Sequence, residues 1–298
     1  MNKTNAVHRH AKRKQYIYRH ALLMQTLIGH NKADGTFKGG QNYHIIRRVY
    51  NKQKPLILRY VRSRSPQMAI DGLPLLFNGS FKPQWLTALK QVWQNGAEEG
   101  EKFVKELHGD VQKVAKADYQ DYADQFLAEH AGSKIDGIMD TDQTWLANTI
   151  RQGVDEGLTT PQIASSLTYQ FDNMSVGRAG TIARTETASA FNYASQQTAT
   201  DLMPDGSTKT WNTTSDKPRP WHEDADGQTV PIDEPFIVMD EEMDFPGDSN
   251  GSEENVINCL CVVSYDYSKA AGEEENELSP EEEESALSEA SMQLGGEE

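Results

Sequence analysis

The chain has 298 residues, 37% hydrophobic and 25% charged, with a mean hydropathy of −0.70 and a formal net charge of −16. This composition suits a water-soluble protein able to bury one or two modest cores, and no apolar run approaches the roughly 20 residues that a membrane span requires. Two cysteines, Cys259 and Cys261, are too few and too close for a disulfide framework, so a reducing compartment is expected; the short apolar run 21–28, broken by Gln25 and Thr26, does not read as a secretory signal.

Residues 1–64 hold fifteen Lys/Arg against one acid, Asp34, a balance of +14 that leaves −30 on the remainder. The basic set comprises Arg9, Lys12, Arg13, Lys14, Arg19, Arg47, Arg48, Arg59, Arg62 and Arg64 among others, interleaved with His and Tyr. Such a segment can neutralise phosphates and stack on bases, or dock on an acidic protein surface, since charge states the sign of a partner and not its identity. Two helices are predicted in it, over 11–28 and 43–61, separated by the Gly-rich turn 34–40 and stopped by Pro55 or by 63–66.

Residues 73–83 read as a loop. Apolar residues then recur at helical spacing from Trp85 through Leu107, and a further helix is expected near 115–129. Beyond Gly132 the pattern is a helix over 142–156, a cap at Thr159-Thr-Pro161 and a helix over 162–171. Arg178 opens the most regular helix, in which Ala179, Ile182, Ala183, Thr187, Ala190 and Ala194 form one stripe. Glu186 sits four residues from both Ile182 and Ala190, so its carboxylate lies near that stripe and needs a partner.

From Ser207 the chain changes to short strand-like runs, 208–213, 228–232, 235–238 and 255–265, broken by Asp/Gly/Pro turns. The final thirty residues carry eleven acids and almost no large apolar side chains, a composition that reads as disordered. The expected fold is α+β: a mainly helical N-terminal and middle region, then a small β-rich C-terminal domain packed on a long helix. Its parts are a basic arm over 1–64, a helical body over 65–177, the α+β domain over 178–268 and an acidic tail over 269–298.

Chemistry concentrates in 216–227 and 258–261. If Cys259 and Cys261 lie on a strand, their thiolates project from one face, and His222 would complete a three-ligand set, with Asp216 or Asp224 as a fourth. Zinc suits these sulfur and nitrogen donors; close packing of small buried residues is the alternative. A histidine amid acids beside zinc can also activate water, yet His222 is the only histidine of the β-rich segment, and no Walker loop or Gly-x-Ser-x-Gly elbow is present.

Seven blocks occur in one order: Arg178-Ala-Gly-Thr-Ile-Ala-Arg-Thr-Glu-Thr187, Lys209-Thr-Trp-Asn-Thr-Thr-Ser-Asp216, Arg219-Pro-Trp-His222, Asp226-Gly-Gln228, Glu234-Pro-Phe236, Phe245-Pro-Gly-Asp248 and Glu254-Asn-Val-Ile-Asn-Cys-Leu-Cys261. Over about 142–265 the chain thereby resembles the minor head or head morphogenesis proteins of tailed bacteriophages, of the phage Mu F type. It departs from them at Leu260, where the family usually has arginine, and in a shorter interval between Asp216 and Arg219. The resemblance implies a non-enzymatic, low-copy virion protein, made in the host cytoplasm, that acts in procapsid assembly at the portal vertex or capsid interior. It implies portal protein and scaffolding or major capsid protein as partners, with double-stranded DNA met during packaging or ejection. It also implies a motif core of Arg184, Glu186, Trp211, Asp216, Arg219, His222 and Asn258, in which Glu186 would pair with Arg219. A metal-dependent nuclease or toxin-like effector carried in the virion is the competing class; it would need a folded catalytic domain beyond residue 268, where the sequence given is acid-rich.

Overall fold

The computed structural model describes residues 17, 20, 22–31, 37–107, 119–214 and 217–266. Their contacts divide them into two compact units. A helical unit is drawn from Thr26–Gly96 and Gln120–Thr187, and a mixed unit from the described residues of Met1–Gln25, Ala97–Tyr119 and Ala188–Glu298. The class is the expected one, mainly helical α+β with its small sheets concentrated toward the C-terminus. Of the first predicted helix, residues 17, 20 and 22–28 are described and are helical. The acidic segment 269–298 lies outside the described residues.

In the helical unit, strands β1 (Gly29–Asn31) and β2 (Phe37–Gly39) pair antiparallel and lead into helix α1 (Gln41–Arg62). Ile46, Tyr50, Ile57 and Val61, at spacings of four and seven, are each 2% exposed or less and form the buried stripe of α1. Pro55 lies inside this helix without ending it. Both Pro55 and Asn51, whose carbonyl loses its i+4 donor, are exposed. The helix stops at Ser63, and Ser65 then caps α2 (Pro66–Asp71) by accepting from the Met68 N–H.

The stretch read as a loop is helical. α3 (Leu73–Leu76) passes through a π-helical turn, Phe77–Phe81, directly into α4 (Lys82–Leu107). Leu73, Phe77, Phe81 and Trp85 are spaced by four and no more than 2% exposed. A four-residue repeat drifts about 40° per step around a helix of 3.6 residues per turn, and the wider π turn absorbs that drift. Pro74, Asn78, Gly79 and Pro83, the residues that read as loop formers, all sit on the exposed side.

The expected break at Gly132 is likewise absent, because α5 runs unbroken over Tyr119–Asp155. A Cβ at Gly132 or Gly137 would meet nothing, and the cost of about 1 kcal/mol per glycine is outweighed by the burial of Tyr122, Phe126, Ile135, Met139, Leu146 and Ile150. Gly157, at φ +72°, ends the run. Thr159 then caps α6 (Thr160–Leu202) as predicted, its N–H and hydroxyl both donating to Gln162 Oε1, at 2.8 and 2.7 Å. The predicted gap between 171 and 178 closes, since Phe171, Ser175, Ala179 and Ile182 continue one buried row at helical spacing. Beside that row the Tyr50 hydroxyl and the Arg178 guanidinium both donate to Asp142, whose carboxyl burial pushes up to about 6 against their pull.

The mixed unit holds the C-terminal parts of α4 and α6, on which short elements assemble: β3 (Thr208–Asn212), α7 (Pro220–Asp224), β4 (Thr229–Pro231), β5 (Phe236–Val238), β6 (Glu241–Met243), α8 (Glu253–Val256) and β7 (Val262–Asp266). β3 lies between β4 and β7, all antiparallel, with Thr210 opposite both Thr229 and Ser264. β5 and β6 form a separate hairpin through Met239 and Asp240, both at positive φ. The strand predicted over 255–265 is split. Its first part is α8, and Cys259 and Cys261 fall in the loop 257–261, because Asn258 takes up the left-handed conformation at φ +61° and turns the chain.

Candidate functional site

The mixed unit is held by a polar row on α6 that periodicity alone does not reveal. Asn192 donates from Nδ2 to the carbonyls of Pro246 and Cys261, each at 3.0 Å; Ser189 donates to the Gly247 carbonyl; Gln196 donates to the Ile232 carbonyl at 2.9 Å and accepts from the Tyr265 hydroxyl. Ser189, Asn192 and Gln196 recur every three to four residues, so one helix face fastens three separate loops through their backbones. The apolar stripe around them is buried as predicted.

The same logic fixes the cysteine loop. Arg219, immediately before α7, donates to the Ile257 carbonyl; Thr214 Oγ1 donates to the Leu260 carbonyl at 2.7 Å; Asn192 holds that of Cys261. With Asn258 supplying the left-handed turn, the loop presents both sulfurs to His222 on α7: His222 Nδ1 lies 3.7 Å from Cys259 Sγ and 3.4 Å from Cys261 Sγ. The three ligand atoms lie within 4.8 Å of one another, and the residues are 2%, 3% and 5% exposed. A hydrogen bond from Cys261 together with the His222 imidazole pulls the Cys259 thiol well below its ordinary range despite burial, while that bond and burial push Cys261 far up.

On its other side, His222 Nε2 lies 3.3 Å from Asn255 Oδ1, and Asn255 Nδ2 donates to the Val238 carbonyl at 3.3 Å and to Glu241 Oε2 at 2.6 Å. Bonds from the Ser252 N–H and from Asn255 keep Glu241 below the usual carboxylate range. Trp211 on β3, fully buried, sets its ring against His222 with centroids 5.6 Å apart. Asp224 is exposed and outside the cluster, and Asp216 lies outside the described residues.

Residues 144–264 match the family model described as Phage Mu protein F like protein. The chain carries a phage Mu F-like domain. The family is one of phage head morphogenesis proteins, and the matched span agrees with the resemblance read over 142–265. No curated protein and no solved structure matches the chain.

Within the Mu F-like domain, Glu186 is 5% exposed, as expected of its place on the stripe, but its partner is not Arg219. It accepts from Trp93 Nε1 at 3.0 Å and faces Lys134 Nζ at 3.5 Å, while Arg219 is engaged with the cysteine loop. Both partners lie before the domain, Trp93 in a segment where sequence signals only a helical stripe and Lys134 between two predicted helices. Arg184 is half-buried, and burial pulls its guanidinium down.

The basic residues of α1 divide by face. Arg47 donates to Ser175 and Lys54 pairs with Asp172 at 2.6 Å, whereas Arg48, Lys52, Arg59 and Arg62 are exposed, at spacings of four, seven and three that place them on one side of the helix. Arg64 stacks its guanidinium 3.9 Å from the centre of the Tyr60 ring. Arg9, Lys12, Arg13, Lys14 and Arg19 lie outside the described residues.

Proposed function

We propose that the chain is a non-enzymatic minor head protein that works inside the forming phage head, at the portal vertex, and meets the packaged DNA through the exposed basic face of α1. The match over residues 144–264 carries this reading. It is supported by how the motif residues of that span are engaged: Glu186, Arg219, His222 and the cysteines find partners within the chain, and the cysteine cluster is closed to substrate. Portal protein and scaffolding or major capsid protein are its proposed protein partners, and the virion its location.

Arg48, Lys52, Arg59 and Arg62 span about 21 Å of helix at 1.5 Å per residue and face solvent together, which suits a row of phosphates. No base-reading motif accompanies them, so binding is expected to be independent of sequence and strongly salt-dependent. A gel-shift series on the full chain tests this. Changing the four residues to Glu should weaken binding and lower the slope of log K against log salt by about 3 to 4, near 0.9 for each phosphate no longer neutralised. Equal binding by both proteins would remove DNA from the reading and leave an acidic protein surface as the partner of that face. Cryo-EM of procapsids assembled with and without the chain tests the portal-vertex placement; density distributed over the whole shell would overturn it.

A further inference from the structure

We propose that His222, Cys259 and Cys261 bind a zinc ion that pins the loop 257–261 to α7. The donor spacing fits. Zinc held tetrahedrally by two thiolates at about 2.3 Å and an imidazole at about 2.0–2.1 Å sets each sulfur about 3.5–3.6 Å from the ring nitrogen. The two separations here are 3.7 and 3.4 Å, either side of that value.

The protonation pattern around the ring fits as well. Val238 offers Asn255 a carbonyl and Glu241 a carboxylate oxygen, and both groups accept, so the nitrogen of the Asn255 amide must face them and its oxygen must face the imidazole. That oxygen needs a donor, which makes His222 Nε2 the protonated nitrogen and leaves the lone pair on Nδ1, between the two sulfurs. A neutral imidazole whose far N–H is held by an oxygen, with its lone pair aimed at thiols, is the arrangement by which proteins orient a histidine ligand. Without metal, Nδ1 has one lone pair for two sulfurs. With metal, both sulfurs and the nitrogen are used.

The Trp211 indole N–H is buried with no hydrogen-bonded nitrogen or oxygen, and its ring packs against His222 with centroids 5.6 Å apart. The carbonyls of Ile257, Leu260 and Cys261 are each held by a side chain from elsewhere, so the donors are set in place by the fold before an ion arrives. Three ligands leave the fourth position to water. The ion would be structural, tying segments 37 and 39 residues apart and contributing its binding to folding of the mixed unit.

The test begins with the full unmodified chain, purified without chelator and assayed for metal. About one zinc per chain is expected. Exchange for cobalt(II) should give thiolate-to-cobalt charge-transfer absorption together with the visible bands of a tetrahedral ion, a readout that needs no variant. Zinc added back to chelator-treated protein should raise its melting temperature. Asn255→Ala, which leaves all three ligands in place and removes the ring's orienting oxygen together with the bonds to Val238 and Glu241, should weaken zinc affinity by about 10- to 100-fold. Cys259→Ser and Cys261→Ser should each lose stoichiometric metal, and a Cys259→Ser protein that keeps one zinc and its cobalt spectrum would overturn the assignment. So would unmodified protein that holds well under one metal per chain and gives no thiolate-to-cobalt band.

Discussion

The two compact units solve the same problem by different means. In the helical unit, long helices bury apolar rows: Leu73, Phe77, Phe81 and Trp85 on one, Phe126 and Ile135 on another, and the stacked rings of Trp93 and Phe126, 3.4 Å apart, between elements. In the mixed unit the elements are three to five residues long after α6 ends and bury too little to hold one another, so side chains of α6 and those of Thr214 and Arg219 reach out and bond loop carbonyls. The first kind of order depends on volume and spacing. The second depends on single polar atoms, and conservative changes of volume should therefore be tolerated in one unit and not in the other.

The largest effect expected comes from the one buried charge of the helical unit that the stripe made legible. Glu186→Ala strands Lys134 and the Trp93 N–H and should cost about 3–5 kcal/mol, read as a fall in the urea midpoint; a midpoint unchanged from the parent would show that the carboxylate is dispensable. Next, Asn192→Leu preserves volume yet frees the Pro246 and Cys261 carbonyls and should cost about 1–3 kcal/mol, whereas Leu146→Met in the helical unit should cost less than about 1.5 kcal/mol. Equal losses at the two sites would erase the contrast.

The smallest effect is a matter of pH. His20, packed 4.2 Å from Phe191 with neither ring nitrogen hydrogen-bonded, is held by burial at about 3 instead of 6.5. The unfolded chain therefore takes up a proton that the folded chain refuses. Its contribution is full above about pH 6.5 and is lost as pH falls toward 3, about 1.4 kcal/mol by pH 5.5. His20→Phe should remove that part of the fall between pH 7 and 5.5, and identical pH dependence in the two proteins would contradict it.

Sequence made the helical unit legible where spacing is regular, as on α1, and misread it where composition outweighed spacing. Gly132 and the Pro/Asn/Gly run at 74–83 stop helices in isolation but lie here on exposed sides of helices whose opposite faces are buried. The cysteine cluster was foreseen in membership and not in its route: the sulfurs converge on His222 from a loop, through the left-handed Asn258, and not from alternate positions of a strand. The polar row Ser189, Asn192 and Gln196 stayed hidden because its partners, the Tyr265 hydroxyl apart, are backbone carbonyls, which leave no mark on residue type. A small polar residue every three to four positions on an otherwise apolar face is the signal that would have found it.

The π turn at Phe77–Phe81 also bears on rotational phase. A π turn is an α-helix that has taken in one extra residue, so removing a single residue there, such as Gly79 on the open side, would restore a uniform helix with Phe77 and Trp85 seven residues apart and nearly in phase. Trp85, Leu89 and Val92 would then still share a face with Leu73 and Phe77. The extra residue therefore acts as slack in the chain: one residue can be lost inside the turn without turning the helix that follows, whereas the same deletion in the uniform part of α4 would swing every later side chain by about 100°.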